Sequence, residues 1–474
     1  MKLLKKRVAA FITLLLVISM FSVPALANSA QVHWRGTTSS GVIIIGDDCP
    51  IEVESERLGF EAKEFPPQYY YDAEEFLQYS GKVTAEYTFF NPADYTVNAT
   101  LVFPFGNIPD YGYLSDPDSE ERFLKTDTEK YDIMVDGAPI EKTLLHTLSY
   151  FGNQFGLEED MSKLHDGYMN DPFYSPDMPV TRLYYRSSGV DLETYHAATA
   201  AFVLSADPTK TKVLVEGQNG GRTLGDGVLI EGWVNPDEMF VVNVIGEPLK
   251  EMPDWRFYEN GACEKEIDGA MTLADTETVT LKELVFLEYE EDSGILEHDW
   301  YNAVVQSMND QEWSHGALHG SDFYFDISDQ LMRWYEYEIE IEPGMKIVNS
   351  VTAPIYPNID ASYDPPVYSY TYLLSPAKTW AEFGTLDIEV RTPYYMTESG
   401  PEGFERTDAG YNQHLEGLPD GELTFTLCSE ANPQTPVFQR GMLIVLAPYM
   451  VFLIIGVVTV IVIVLLIRRK RRRQ

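Results

Sequence analysis

His315 and His319 stand four residues apart, the spacing that sets two imidazoles on one helix face for zinc. Gly316 and Gly320 argue against a helix there, and the glutamate of a zinc-protease motif is missing. Asp116, Asp118 and Glu120 have the one-three-five spacing of a calcium loop, with Asp127 at the twelfth position. Glu121 occupies the sixth position, where the sharp turn wants glycine. A solvated acidic loop is the plainer reading, and calcium is the only cofactor these residues leave open. Gly217, Gly220, Gly221, Gly225 and Gly227 surround Arg222 but no lysine, which reads as a turn region and not as a phosphate cradle.

Glutamates at alternate positions offer a different kind of site. Glu336, Glu338, Glu340 and Glu342 alternate with Tyr335, Tyr337, Ile339 and Ile341. On a strand they lie about 6.6 Å apart on one face. Glu52, Glu54 and Glu56 form a similar row. Were the two strands neighbours, they would make an acidic sheet face suited to cations or to a basic partner; a solvated face is the alternative. The nucleophile elbow, the phosphate loop and the zinc-protease pattern are absent. Carboxylates are too many for sequence spacing to pick out a glycosidase pair. No residue is therefore nominated as catalytic or cofactor-binding.

The elements that would position these residues are mostly strands. Val83, Ala85, Tyr87 and Phe89 alternate with polar residues, an Asn91-Pro92-Ala93-Asp94 turn follows, and Tyr95 to Phe103 alternates again. The pattern predicts a hairpin with one buried face. Asp136-Gly137 predicts a second, tighter hairpin, because both turn positions need positive φ. Residues 200–204, 212–215, 239–245, 335–341 and 386–390 read as further strands. Helices are few: a short one over 157–169, a Thr280/Glu283 capping box, and 295–308 with Leu296, Trp300, Val304 and Met308 on one face. The expected class is mainly β, as antiparallel β-sandwich ectodomains with a few short helices and one C-terminal transmembrane helix.

The ends predict topology. Lys2, Lys5, Lys6 and Arg7 precede an apolar run that ends at Ala25-Leu26-Ala27, so residues 1–27 read as a cleaved signal peptide. Residues 28–270 and 271–430 are assigned to two β-rich domains, with 431–441 as a tether. Residues 442–467 carry no charge, and the stretch from Pro448 to Ile467 matches a hydrocarbon core of ~30 Å. Arg468, Arg469, Lys470, Arg471, Arg472 and Arg473 form a basic tail, 468–474, that belongs in the cytoplasm. The expectation is a single-pass cell-membrane protein with an extracellular N-terminal region, held in the lipid bilayer by its C-terminal helix.

Setting aside the four basic residues of the leader and the six of the tail leaves 24 against 74 acidic ones, so the outer region is near −50. Such a field repels nucleic acid and anionic membrane and favours cations, basic partners or a salty milieu, so the expected partner is an envelope protein, a glycan or cations, and no nucleic acid. Cys49, Cys263 and Cys428 are odd in number and lack metal-ligand spacing, which allows at most one disulfide. Leu418-Pro419-Asp420-Gly421 lacks the threonine of a wall-sorting signal and reads as a turn leading into a strand.

The run KVTAEYTFFNPADYTVNATLVFPFG at 82–106, followed by YDIMVDGAPIE at 131–141, resembles the layout of the vault/inter-alpha-trypsin (VIT) type domain. The von Willebrand A partner usual in that family is not seen, since Asp326-Ile327-Ser328-Asp329 does not match its metal motif. The whole chain, with WRGTTSSGVIIIGDDCPIEVE at 34–54 and YTYLLSPAKTWAEFGTLDIEV at 370–390, is similar to membrane-anchored surface proteins of Gram-positive bacteria. The resemblance implies β-sandwich ectodomains and transfers no site residue. The function expected is an acidic surface module that binds or scaffolds an envelope partner; the alternative is an anchored hydrolase acting on wall or host glycans.

Overall fold

The structure, a computed structural model, describes residues 33–34, 38–45, 49–62, 81–106, 132–149, 156–235, 237–291, 293–319, 327 and 330–434. The predicted signal peptide, the calcium-loop acids Asp116, Asp118 and Glu120, the apolar run 442–467 and the basic tail lie outside the described residues. So does the tether from residue 435 onward; Gln434 before it still bridges to Asp364. No helix among the described residues is long and apolar enough to cross a membrane.

The described chain is mainly β, with antiparallel sheets and few helices, and it divides into three runs. The first carries β1 (His33–Trp34), β2 (Thr38–Ser40), β3 (Ile43–Ile45), β4 (Glu52–Glu61), β5 (Gly81–Phe90), β6 (Val97–Gly106), β7 (Asp132–Val135), β8 (Ala138–Pro139) and β9 (Thr143–Leu148). The second opens with helix α1 (Leu157–Met161). It continues through β10 (Pro179–Ser188), β11 (Thr199–Leu204), β12 (Thr211–Glu216), β13 (Gly220–Leu224), β14 (Gly227–Trp233), β15 (Met239–Gly246), β16 (Arg256–Tyr258) and β17 (Ala270–Thr280). It closes with α2 (Leu281–Val285) and α3 (Glu297–Asp310). The third returns with β18 (Leu331–Ile341), β19 (Lys346–Ile355), β20 (Asn358–Asp360), β21 (Val367–Leu373), β22 (Phe383–Arg391), β23 (Tyr395–Gly400), β24 (Glu405–Arg406), β25 (Gly410–Leu415) and β26 (Leu423–Cys428).

The first and third runs build one core. An eight-stranded sheet, β24-β25-β22-β4-β5-β19-β7-β8, packs against a four-stranded sheet, β3-β6-β18-β9, and a six-stranded sheet containing β20, β21 and β26. Most pairs are antiparallel; β4 with β22 and β2 with β21 are parallel. Val83, Ala85, Tyr87 and Phe89 point into this core, as their alternation predicts.

The predicted hairpin over 83–103 is not one. β5 pairs with β4 and β19, whereas β6 pairs with β3 and β18. The two strands line opposite sides of the same core, so their period-two pattern is identical to that of a hairpin. Asn91 makes the crossing: its Nδ2 donates to Tyr95 O and Ile341 O, and its Oδ1 accepts from Ala93 N. The side chain ties the arch to β18 instead of closing a two-residue turn. Asp136-Gly137 does form the tight turn of β7–β8, with φ of 49° and 76°.

The second run is inserted between β9 and β18. Sheets β12-β15-β10-β17 and β13-β14-β11-β16 enclose an apolar core of Leu183, Phe202, Val215, Ile230 and Val244. On the other side of the first sheet, Val180, Leu214 and Ile245 pack against α2 and α3. The Thr280/Glu283 box caps α2 through both of its bonds, and Trp300 and Met308 of α3 are buried. The division expected at residue 270 falls inside this unit: β17 pairs over its whole length with β10, and the chain breaks topologically at β9 and β18 instead. The helix expected over 157–169 is confined to α1. The glycine-rich stretch is the β13–β14 hairpin, with Gly225 at φ +58° in its turn. Leu418 to Gly421 lead into β26 as the turn reading has it.

Candidate functional site

The two glutamate rows do not share a face. β18 lies in the four-stranded sheet and β4 in the eight-stranded one. On β18 the expected alternation holds: Tyr335, Tyr337, Ile339 and Ile341 are buried while Glu338 and Glu340 are exposed. Glu342 follows the strand.

On β4 the alternation breaks. Its register against β5 shifts between Val53 and Ser55, a bulge that leaves Glu54 and Ser55 both facing out. From there Glu56, Leu58 and Phe60 point inward, and Arg57, Gly59 and Glu61 point outward. The cause is a parity conflict: Ile51 and Val53 need burial at odd positions, Leu58 and Phe60 at even ones, and one extra residue reconciles them.

The outward set makes a groove of about 220 Å³ on the face of β22, β4 and β5. Gly59 is its floor. A Cβ there would meet nothing nearer than Thr84 O at 3.9 Å, so the space above it is open. Arg57, Glu61, Thr84, Glu86, Glu389 and Arg391 form the rim. Register explains the grouping: Arg57 faces Glu86 and Gly59 faces Thr84 on β5, while Glu389 and Arg391 flank Gly59 and Glu61 on β22.

The rim charges are partly paired. Arg391 Nε and Nη2 each donate to Glu389 at 2.9 Å. This fork holds the Glu389 carboxyl below its usual range, with Arg57 adding to the pull. Arg391 also approaches Glu61 at 3.5 Å. Arg57, 64% exposed, reaches Glu389 only at 3.7 Å. The groove thus presents guanidinium donors and carboxylate acceptors around a bare backbone. Such a lining suits recognition by charge-assisted hydrogen bonds.

Beneath the groove, Glu56 is 1% exposed. Neither carboxyl oxygen completes a hydrogen bond among the described residues. Burial pushes its pKa up to about 7, and the Tyr87 and Tyr372 phenols pull it part of the way back. The phenol oxygens lie 3.3 Å apart, and Tyr87 Oη accepts from Val42 N. A Cβ on Gly41 would sit 3.0 Å from Tyr87 Oη, so glycine lets the chain cross close over the phenols.

A second buried cluster lies where α3 meets β9. Asp299 Oδ2 accepts from the His146 backbone N–H at 2.8 Å, and Oδ1 is 3.3 Å from His298 Nε2. Burial raises Asp299 to about 7, opposed by that backbone bond. Burial, helped by the charge of Arg333, lowers His146 to about 3. Neither ring nitrogen of His146 makes a hydrogen bond among the described residues, and Nδ1 lies 3.9 Å from Asp299 Oδ2. Glu336, the inner end of the β18 row, is raised by burial and by Asp166 and Glu338.

Among the described residues no group of three or more His, Cys, Asp or Glu side chains could hold a metal ion. His315 sits in a turn at φ +53°, and His319 stacks on Trp313 with ring centroids 4.9 Å apart, so the two are not presented from one helix face. Cys49, Cys263 and Cys428 are all free thiols.

No family model and no curated protein matches the chain. Among solved structures it is similar to the crystal structure of a "putative nutrient binding protein" from Legionella pneumophila. The TM-score is 0.34 and the sequence identity 9%, over 84% of this chain and 72% of that one. A likeness this loose carries no argument about ligand.

Proposed function

We propose that the chain is a binding module of the cell envelope, whose acidic β-rich outer region engages a small zwitterionic, peptide-like ligand in the Gly59 groove. The observation that carries this reading is the groove itself: arginine and glutamate side chains gathered by strand register around one glycine in the middle of a strand. Mid-strand glycine costs stability unless something approaches the backbone there. Guanidinium groups suit a carboxylate, and Glu61 and Glu86 suit an ammonium group. The module is held at the membrane by residues 442–467, with the N-terminal region outside and the basic tail inside; the apolar run and the flanking arginines support that orientation.

The hydrolase reading draws no support from the two carboxyls that burial raises to about 7. Glu56 and Asp299 are 1% and 5% exposed, too enclosed for a general acid to meet a glycosidic oxygen. Titration calorimetry on the full-length protein tests the binding reading. Unprotected dipeptides should bind, and the same dipeptides acetylated and amidated should lose at least about tenfold in affinity, since charge-assisted bonds are the stronger class. Equal binding of both forms, or of neither, would remove the proposal.

A further inference from the structure

β17 is an unusual outer strand. It has 11 residues, about 36 Å of backbone at ~3.3 Å each. The other outermost strands of the described sheets run from two to six residues. Short edges are a usual protection against unwanted pairing, as are lysine and proline on the edge. β17 has none of these: its sequence is AMTLADTETVT. One side pairs with β10 throughout, and among the described residues no strand pairs with the other. Thr272 to Thr278 are exposed on both faces of the strand. The Thr276 N–H finds a local acceptor in Asp275 Oδ1 at 2.8 Å, beside the register shift opposite Tyr184 and Tyr185, and the Thr280 N–H at the strand's end donates to Glu283 Oε2.

We propose that β17 is an augmentation edge, which takes up an extended, lysine- or arginine-bearing segment of another protein as an added strand. Backbone pairing supplies the affinity in this mode, and alternate side chains supply the choice of partner. Charge names the partner. The exposed stretch carries Asp275 and Glu277 and no basic residue, on a chain of net charge −40. A second copy of this chain brings the same acids to the same edge, and like charges facing across strands destabilise the pair. A basic strand places a cation opposite Asp275, whereas Glu277 already accepts from Tyr184 Oη at 2.9 Å and lies 3.8 Å from Arg182 on β10. Leu273, 41% exposed, offers an apolar contact beside Asp275.

The inference is independent of the Gly59 groove, which lies on a different sheet. Its test is amide hydrogen exchange on the full-length chain with a capped peptide of about nine residues alternating lysine with threonine and valine. A matched peptide carries glutamate in place of lysine. The lysine peptide should slow exchange within 270–280 by about tenfold or more, and the glutamate peptide should not. Asp275→Lys should abolish that protection, while Gly59→Val leaves it intact. Asp275 is exposed and bonds only to its neighbour, so this variant folds. No protection of 270–280, equal protection by both peptides, or a peptide-free dimer that protects the same amides would overturn the proposal.

Discussion

β4 and β18 carry the same written pattern, glutamate at every second position, and meet opposite fates. On β18 the register shift against β6 falls between Arg333 and Trp334, before the glutamates begin, so the pattern runs undisturbed to Ile341. Glu338 and Glu340 stand opposite Thr100 and Asn98 with solvent around them. On β4 the shift falls inside the row, and Glu56 turns into the core while Arg57, Gly59 and Glu61 take the outer face. The number of acids in a strand therefore says little about its use. Where the extra residue sits decides whether a glutamate is solvated, paired or buried.

The sharpest way to break this contrast is Glu56→Gln. Glu56 in the folded state titrates near 7, against 4.5 for an ordinary glutamate. The folded protein thus holds the proton more tightly than the unfolded chain. Stability is greatest below the unfolded value and falls as pH rises from about 4.5 to about 7, a loss of about 3 kcal/mol. Urea denaturation at pH 8 should show Glu56→Gln more stable than the wild type by about that amount, with the gap closing near pH 4. An unchanged gap across that range would place Glu56 outside the core.

His146 works in the opposite sense. It is held neutral, with its pKa near 3 against 6.5 unfolded, so stability is lost as pH falls from about 6.5 to about 3. Asp299, raised from 3.8 to about 7, sides with Glu56. Between about pH 4.5 and 6.5 the losses from the two carboxyls outrun the gain from His146, so the wild-type profile should peak near pH 4 and fall toward neutrality. A maximum at pH 8 in the same denaturation series would contradict both assignments.

A smaller effect separates pairing from exposure on the outer faces. Arg391→Ala removes the fork on Glu389 and should destabilise only slightly, by an amount that falls with added salt, as with exposed ion pairs. The double change Glu338→Lys with Glu340→Lys should change stability least, within about 0.5 kcal/mol, because both side chains are exposed. A loss above about 2 kcal/mol would mean the β18 row is structural.

Much of the architecture was legible because burial has a period. The inward residues of β5, β18 and β22 follow from alternation alone, and the Asp136-Gly137 turn and the Thr280/Glu283 cap follow from local chemistry. Pairing was not legible. An arch and a hairpin bury the same alternate residues, so β5 and β6 read as partners until Asn91 is seen bonding to β18. The insertion between β9 and β18 was hidden because strand patterns do not name their partners. The groove was missed because Glu52, Glu54 and Glu56 looked like one face. The signal was there in the opposite parity of Val53 and Phe60, which an unbulged strand cannot bury together.

The central claim is that the outer face of β4, and not the acidic face of β18, is where a ligand binds. Dipeptide titration of the full-length wild type, Gly59→Val, and the Glu338→Lys/Glu340→Lys double variant compares the two faces directly. Valine is at home in a strand and fills only the floor of the groove. The account predicts that Gly59→Val loses binding by about tenfold or more with its melting temperature held, and that the double variant binds as the wild type does. Undiminished binding in Gly59→Val, or loss in the β18 variant alone, would contradict it.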